Sequence, residues 1–307
     1  MRSRSPLDAL SLVLGSVDAV RNLRALYLLL TTFALGGLLT AFAQGALARG
    51  AGPMGALLAA AALFVAFYGG NAAGILVMDQ ARGVAVRDIG EALRTALFTA
   101  HRLLLALLLI GLVYAALGAL LLALLWLARP SVSGPLLGSW LFGLAMPVGV
   151  VGVGVALLAG MAVVVPLAAP GVWAGATVTA IVRQLGRWTR HRLLHVALLM
   201  AAVSLLTAGV AALVSFAVVA GGRVVGELGV RIVGVDVPAA KLMAGLFGYG
   251  VRSIDTAGVP PAVSGHVGAA LIGGGAVFAL ALVLPGLVYL RGTCSVYLAM
   301  CEEPGAP

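Results

Sequence analysis

Charged residues are scarce in this chain. They make up 9% of its 307 residues, whereas a soluble domain has about 25%. Hydrophobic residues make up 62%, and the mean hydropathy is +1.14. A water-soluble surface cannot be assembled from this composition. We therefore predict an all-α protein that crosses a membrane several times.

Cysteines and catalytic patterns are also few or missing. Cys294 and Cys301 are the only cysteines, and on a helix they would lie about 10 Å apart, too far for a disulfide. The sequence contains no phosphate-binding loop, dinucleotide fingerprint or carboxylate pair. His191 and His195 share one helix face, but Arg192 stands where zinc proteases have Glu. The chain is thus expected to have no enzymatic activity, no cofactor and no metal ion.

Acidic residues are too few to balance the basic ones, and the net charge is +9. The 19 basic residues, of which Lys241 is the only lysine, cluster beside apolar stretches. No nucleic-acid recognition motif accompanies them. Anionic lipid headgroups are therefore the expected partners, and nucleic acid is not.

Six apolar stretches are long enough to cross a bilayer, which requires about 20 residues of helix. Each is bounded by charged residues or by Gly and Pro. They are expected to form a single transmembrane domain over residues 1–307. In chain order the predicted spans are Ala25–Gln44, Gly55–Met78, Leu103–Ala128, Trp140–Pro166, Leu193–Ala220 and Val267–Leu290.

A basic amphipathic segment followed by two apolar spans occurs three times along the chain. Arg21, Arg102 and Arg192 each precede the first span of a unit, and the last two stand in the shared tetrapeptide His-Arg-Leu-Leu. A period of roughly 80–90 residues is typical of a helical hairpin used repeatedly. The predicted units cover about residues 5–86, 87–175 and 176–307.

Arginine is unevenly distributed between the two sides of the predicted membrane. The side that carries Arg21, Arg102 and Arg192 also carries most other basic flanks, and the opposite side has fewer. Because basic residues mark the cytoplasmic side, both termini are predicted to be cytoplasmic. Residues 221–266 then form a periplasmic loop, the only one long enough for an external subdomain. The basic residues of the outer side are Arg49, Arg129, Arg223, Arg231, Lys241 and Arg252.

The three segments that precede spans one, three and five are predicted to be amphipathic helices at the cytoplasmic face. In the third, an apolar stripe that includes Trp188 lies opposite Gln184 and several arginines, as in helices that lie in the membrane interface with Trp at headgroup depth. The second has its stripe between Ile89 and Ala100, and the first, Leu7 to Asn22, is less regular. They are either simple connectors or a collar that binds lipid or a partner. The candidate binding residues are Arg183, Arg187, Trp188, Arg190, Arg192, Arg102 and Arg21.

Ionisable groups are nearly absent from the spans, which argues against ion-coupled transport. Asp79, Arg82 and Arg291 lie at span ends, where their side chains are expected to reach water. Asn71 is the most polar residue inside a span. We expect it to hydrogen-bond a neighbouring helix, and a substrate contact in a cavity is the alternative.

Small residues recur at four-residue spacing in the second, fourth and sixth spans. Such spacing lets helix backbones approach closely, and it predicts packing within the protein. Prolines in spans four and six are expected to kink them. The small residues are Gly70 and Gly74, then Gly152, Ala156 and Gly160, then Gly275 and Ala279, and the prolines are Pro147, Pro166 and Pro285.

One segment resembles a known family. Val164-Val165-Pro166-Leu167 ends span four, Ala180-Ile181-Val182-Arg183 opens the third amphipathic helix, and His191-Arg192-Leu193-Leu194 begins span five. This is similar to the six-helix membrane domain found beside some bacterial glycerophosphodiester phosphodiesterases, and to its stand-alone membrane relatives. The resemblance implies a protein of the bacterial inner membrane. Catalysis in that family belongs to a separate soluble barrel, so the resemblance implies no phosphodiesterase activity here.

Two functions fit these observations. The first is a membrane-embedded accessory or scaffold that contacts anionic lipids, together with a partner protein or further copies of the chain. The alternative is a transporter or permease for a small or lipid-like substrate, with a cavity near Asn71 and the kinked spans. Three hairpins of the same orientation do not give the inverted pairing of many transporters, which favours the first function.

Overall fold

The computed structural model describes residues 15–233 and 261–302. Helices and short turns account for these residues, and no β-strand occurs among them. Six of the helical segments are long and apolar enough to cross a membrane. The prediction of an all-helical chain with six candidate membrane spans is therefore confirmed.

The helices follow one another with few residues between them. In chain order they are a 3₁₀ helix Gly15–Arg21, α1 Leu23–Ala48, α2 Gly52–Ala81, α3 Ile89–Thr99, α4 His101–Leu127, α5 Pro130–Ser133, α6 Pro135–Ala159, a π-helical turn Gly160–Val164, α7 Val165–Trp173, α8 Val178–His191, α9 Leu193–Val233 and α10 Pro261–Glu302.

The chain folds into two compact units. Among the described residues, the first unit combines 15–96 with 203–233 and 261–292, and the second combines 97–202 with 293–302. The unit boundaries fall inside α3, α9 and α10, so these three helices contribute to both units.

In the first unit, a tight turn at Gly50 joins α1 to α2. Gly50 has φ of +76°, a conformation that side chains with a Cβ rarely adopt. Its N–H donates to the carbonyl of Leu47 at 3.0 Å, and the N–H of Ala51 donates to that of Ala46 at 2.9 Å. These bonds satisfy the last carbonyls of α1, as in a Schellman motif. Gly83, with φ of +68°, ends α2 in the same way.

Glycines on α2 allow α1 to pack closely against it, but Gly70, one of the two that the spacing indicates, is not among them. A Cβ at Gly69 would meet the side chain of Thr32, and one at Gly55 would lie 2.6 Å from Leu47 Cγ. Gly70 faces open space, so the predicted packing role of Gly70 is wrong. Adjacent helix positions are rotated by about 100°, and a spacing of four does not decide which stripe faces the neighbour.

In the second unit, the predicted stripe of small residues meets α4 only in part: a Cβ at Gly160 would lie 3.8 Å from the Tyr114 hydroxyl oxygen. A Cβ at Gly149 would lie 2.9 Å from a methyl group of Leu121, whereas Gly152 faces open space. The packing role predicted for Gly152 is therefore wrong as well. The Tyr114 hydroxyl donates to the carbonyl of Ala156 at 3.0 Å, which ties α4 and α6 together two turns beyond Gly149.

The π-helical turn Gly160–Val164 ends two residues before Pro166. Proline lacks the N–H that would continue the α-helical ladder, and a π turn is one of the ways in which a helix absorbs such an interruption. From Ala162 to Val172 the side chains are buried except at Val165 and Ala169. The interruption therefore lies at the start of a well-packed segment of the second unit.

Helices α9 and α10 are longer than the spans predicted within them. Helix α9 continues through Gly221 to Val233, and α10 begins at Pro261, so both ends of the predicted loop 221–266 are helical. The remainder of that loop, 234–260, lies outside the described residues together with its Lys241 and Arg252, as do residues 7–14 of the first amphipathic segment. The sixth candidate span among the described residues is Ala279–Cys301, which ends well beyond the predicted Leu290.

Candidate functional site

Helix α8 separates apolar and basic side chains onto different faces. Thr177 caps it by accepting a hydrogen bond from the Ala180 N–H at 3.4 Å. Ile181, Leu185 and Trp188 are buried at one-turn intervals. The arginines occupy the other positions: Arg183 and Arg190 are exposed, and Arg187 is half-buried.

The buried face of α8 packs on protein from its own unit. The Trp188 ring meets the Tyr297 ring edge to face, with centroids 5.6 Å apart. Gln184 accepts a hydrogen bond from the Tyr297 hydroxyl at 3.1 Å and donates to Cys301 Sγ at 2.9 Å. Trp188 is only 5% exposed. The Trp188 ring and Gln184 therefore contact α10. The sequence pattern instead predicts Trp188 at the depth of the lipid headgroups and Gln184 on the polar face of the helix.

Arg21, Arg102 and Arg192, which precede the first span of each predicted unit, all lie within two residues of the point where two helices meet. They differ in exposure and in their contacts. Arg21 ends the 3₁₀ helix before Asn22, Arg102 is the second residue of α4, and Arg192 stands between α8 and α9. Arg21 is exposed and lies 3.8 Å from Asp18, while Arg102 and Arg192 are half-buried. Their equivalence in three repeat units stays a prediction.

The backbone differs at the three junctions. Asn22 has ψ of 81° and Arg192 has φ of −140°, so the helical path is interrupted at both residues. Ala100, with φ of −62° and ψ of −27°, keeps a helical conformation between α3 and α4. The second short helix therefore continues into its span, whereas the first and third are broken from theirs.

Asn71 lies in the most enclosed part of α2. Every residue from Asn71 to Asp79 is buried. The Asn71 amide donates to the carbonyl of Phe67 at 2.8 Å, one turn earlier in the same helix. The expected hydrogen bond to a neighbouring helix stays a prediction.

Asp79 takes part in an ion pair that was not expected from the sequence. The Arg87 guanidinium donates to both carboxylate oxygens, Nε to Oδ2 at 2.7 Å and Nη2 to Oδ1 at 2.9 Å. The Asp79 side chain is only 5% exposed. The prediction that it reaches water is wrong, because the turn at Gly83 brings the next stretch of chain back over the end of α2. The hydrogen bond to Asp79 raises the pKa of Arg87 above its usual value, so Arg87 stays charged.

Other polar side chains of the first unit extend this pair into a network. Asn22 caps α1 by accepting from the Ala25 N–H at 3.1 Å, and its amide donates to Gln80 Oε1 at 3.2 Å. Gln80 in turn donates to the carbonyl of Asp18 at 3.1 Å. Arg24 donates to the carbonyls of two residues in the turn after α2, at 2.5 and 2.9 Å. The network joins the 3₁₀ helix, both helices of the hairpin and the turn that leads to α3.

Arg291 lies in the middle of a helix and not at the end of one. Helix α10 continues to Glu302, and Nε and one terminal nitrogen of Arg291 are buried. The prediction that Arg291 lies at a span end is therefore wrong, because the candidate span continues to Cys301. That its side chain reaches water stays a prediction. An arginine after an apolar stretch predicts the end of a span, and the sequence alone does not show that α10 continues beyond it.

No metal cluster emerges from residues 15–233 and 261–302 as a second candidate. These residues bring together no group of three or more His, Cys, Asp or Glu side chains suited to a metal ion. A hollow of about 560 Å³ lies at the end of α4, and its lining is apolar apart from Arg129. That lining consists of Leu122, Ala123, Leu125, Trp126 and Arg129.

Comparisons with known proteins identify no relative. No protein-family model matches the sequence, and no curated protein or solved structure is similar to it. The resemblance to the phosphodiesterase-linked membrane domain accordingly stays a prediction.

Proposed function

We propose that this chain is a scaffold protein of the bacterial inner membrane, which holds anionic lipid at its cytoplasmic face and supports a partner protein there. It is built from three helical hairpins, each preceded by a cytoplasmic amphipathic helix. The observation that carries the proposal is the arrangement of α8, whose apolar side is used up by packing while Arg183 and Arg190 stay exposed.

The order of helices supports the hairpin repeat. A short helix precedes a long apolar one at Gly15–Arg21, at Ile89–Thr99 and at Val178–His191. In each case a second long apolar helix follows. This order is the one expected from a unit of an amphipathic helix and two spans.

Electrostatics favours lipid at α8. An arginine near an anionic membrane surface contributes about 1 kcal/mol, and the attraction fades within a Debye length of about 8–10 Å. Arg183, Arg187 and Arg190 lie within two helical turns of one another, so their contributions act on the same patch of membrane. Positive charge of this density exceeds what is needed to orient a hairpin.

Charge-neutralising variants test the proposal. Arg183→Gln/Arg187→Gln/Arg190→Gln removes the charge but keeps Arg192 and the other basic flanks. We expect co-purified phosphatidylglycerol and any cross-linked partner to decrease. A matched control with the same change in charge is Arg49→Gln/Arg129→Gln/Arg223→Gln, at exposed arginines of the predicted outer flank. Unchanged lipid and partner recovery in the first variant would leave α8 as a connector and refute the scaffold function.

Transport is the competing function. It requires polar side chains around a cavity, and the hollow at the end of α4 provides Arg129 alone. Asn71 is the remaining candidate for a substrate contact, and its amide is engaged with Phe67. Uptake of a lipid-like substrate into proteoliposomes that is lost in Asn71→Leu would favour a transporter over a scaffold.

A further inference from the structure

Gly186 occupies an exposed position in the middle of α8 for which packing gives no reason. A Cβ there would meet no atom within 4 Å. Its φ is not positive, so the backbone conformation does not require glycine. Glycine inside an exposed helix is destabilising relative to alanine. Open helix glycines such as Gly118 occur elsewhere in the chain, but at Gly186 the open space lies beside arginines.

Arginines lie along one side of Gly186 on the helix surface. Arg183 lies three residues before it, Arg187 follows directly, and Arg190 lies four residues after it. Arg183 and Arg190 are about 10 Å apart along the helix axis, given a rise of 1.5 Å per residue. Long guanidinium side chains from both ends can therefore reach over the gap that the missing side chain leaves.

Within the chain, these arginines have few carboxylates to pair with. Between Glu91 and Glu227 the sequence contains no Asp or Glu. Among the described residues, no carboxylate lies within ion-pair distance of Arg183, Arg187 or Arg190. At the C-terminal end of the chain, Glu302 and Glu303 have side chains that lie outside the described residues. Among the described side chains, the positive charge of α8 meets no carboxylate and can attract an external anion.

The helix that carries these arginines is firmly held. Trp188 packs on Tyr297, and Gln184 hydrogen-bonds Tyr297 and Cys301. Ile181 packs closely on Gly171, where a Cβ would lie 3.1 Å from Ile181 Cγ1. These contacts fix the rotation of α8 about its axis, so that the Gly186 side faces outward. A ligand then pays little ordering entropy of the protein on binding.

We propose that Gly186 is the floor of a binding site for the phosphodiester group of an anionic phospholipid. The phosphate lies over the Gly186 backbone and accepts charge-assisted hydrogen bonds from Arg183 and Arg190, with Arg187 beside it. Its acyl chains run along the start of α9, where Leu194 and Leu198 are each 72% exposed. This inference rests on the lipid-binding function proposed for α8. It adds that the ligand is a phosphodiester headgroup and that the binding site is at Gly186.

Filling the gap without changing charge tests the site. In Gly186→Leu the new side chain has no hydrogen-bonding group and clashes with nothing in the protein. The full chain in detergent is titrated with phosphatidylglycerol, and native mass spectrometry counts bound lipid. We expect about tenfold weaker binding, because the variant loses one charge-assisted hydrogen bond to the phosphate. The unfolding temperature should be unchanged or higher, since leucine favours a helix more than glycine does. Gly118→Leu, which also enters open space, is the matched control and should bind as the wild type does.

The outcomes separate this site from the broader function. If Gly186→Leu binds normally while the triple arginine variant loses lipid, the site is wrong and the lipid-binding function stands. If neither variant loses lipid, both proposals fail. Phosphatidylcholine should bind the wild type more weakly than phosphatidylglycerol, and equal binding would overturn the assignment to an anionic lipid. Displacement by millimolar inorganic phosphate at constant ionic strength would show that the site holds a free anion, and would overturn the assignment to a phospholipid.

Discussion

Asp79 and Arg87, eight residues apart in the sequence, face each other in a two-pronged ion pair across the turn that ends α2. Both guanidinium-to-carboxylate bonds are short, 2.7 and 2.9 Å. Arg87 also lies 3.5 Å from the Thr95 hydroxyl on α3. The pair thus connects the end of one candidate membrane span to the helix that leads into the next.

Breaking this pair should destabilise the first unit. In Arg87→Gln the Asp79 carboxylate stays buried without its cation, which typically costs about 3–5 kcal/mol. We expect the lower end of that range, because the Arg87 side chain is 29% exposed. Arg87→Lys keeps the charge but loses the fork of two donors, so its loss should be smaller. Thermal unfolding in detergent measures both, and equal stability of Arg87→Gln and wild type would contradict the structural role.

Gly69 and Gly70 form a matched pair for testing the α1–α2 contact. Gly69→Ala places a methyl on the Thr32 side chain and should destabilise by about 1–3 kcal/mol. Gly70→Ala enters open space and should be neutral or stabilising by up to about 1 kcal/mol. The difference between the two unfolding temperatures is the measurement. A larger loss at Gly70 would mean that the predicted four-residue stripe, and not the observed one, faces α1.

The topology can be examined with membrane-impermeant thiol reagents on intact cells. Cysteine introduced at Arg129 should be labelled from outside, whereas cysteine at Arg94 or Arg187 should react only after the membrane is opened. All three arginines lie at exposed or half-buried positions, so lack of reaction would not reflect burial in the protein. The loop around Ser253 should also react from outside, although it lies outside the described residues. Outside labelling at Arg94 would reverse the predicted orientation.

Asn71 should contribute to stability and not to binding. Asn71→Leu removes the hydrogen bond to the Phe67 carbonyl and should change the free energy of unfolding by about 1 kcal/mol. Lipid binding at α8 should be unaffected. A variant that folds normally but loses transport of any substrate would instead make Asn71 part of a substrate pathway.

Local composition was enough to predict the class of this protein. A span is recognised from about 20 consecutive apolar residues, and that property needs no knowledge of the neighbouring helices. The short helices before α4 and α9 follow from a periodicity confined to each segment, as does the alternation of Arg183, Arg187 and Arg190 with Ile181, Leu185 and Trp188. The segment before α1 is less regular, and its described part is a 3₁₀ helix.

Contacts between distant segments decided the remainder. Trp188 packs on Tyr297, and Asn22 bonds Gln80, because helices far apart in sequence lie side by side. Neither partner can be found from the periodicity of one helix. The choice of Gly69 over Gly70, and the burial of Asp79 under Arg87, depend likewise on how each helix is rotated and where each turn sends the chain. Sequence by itself determined which residues enter helices and which faces are apolar or basic, since these are local properties. Only the tertiary structure decided which of those faces meet, because that depends on the packing of side chains from several helices at once.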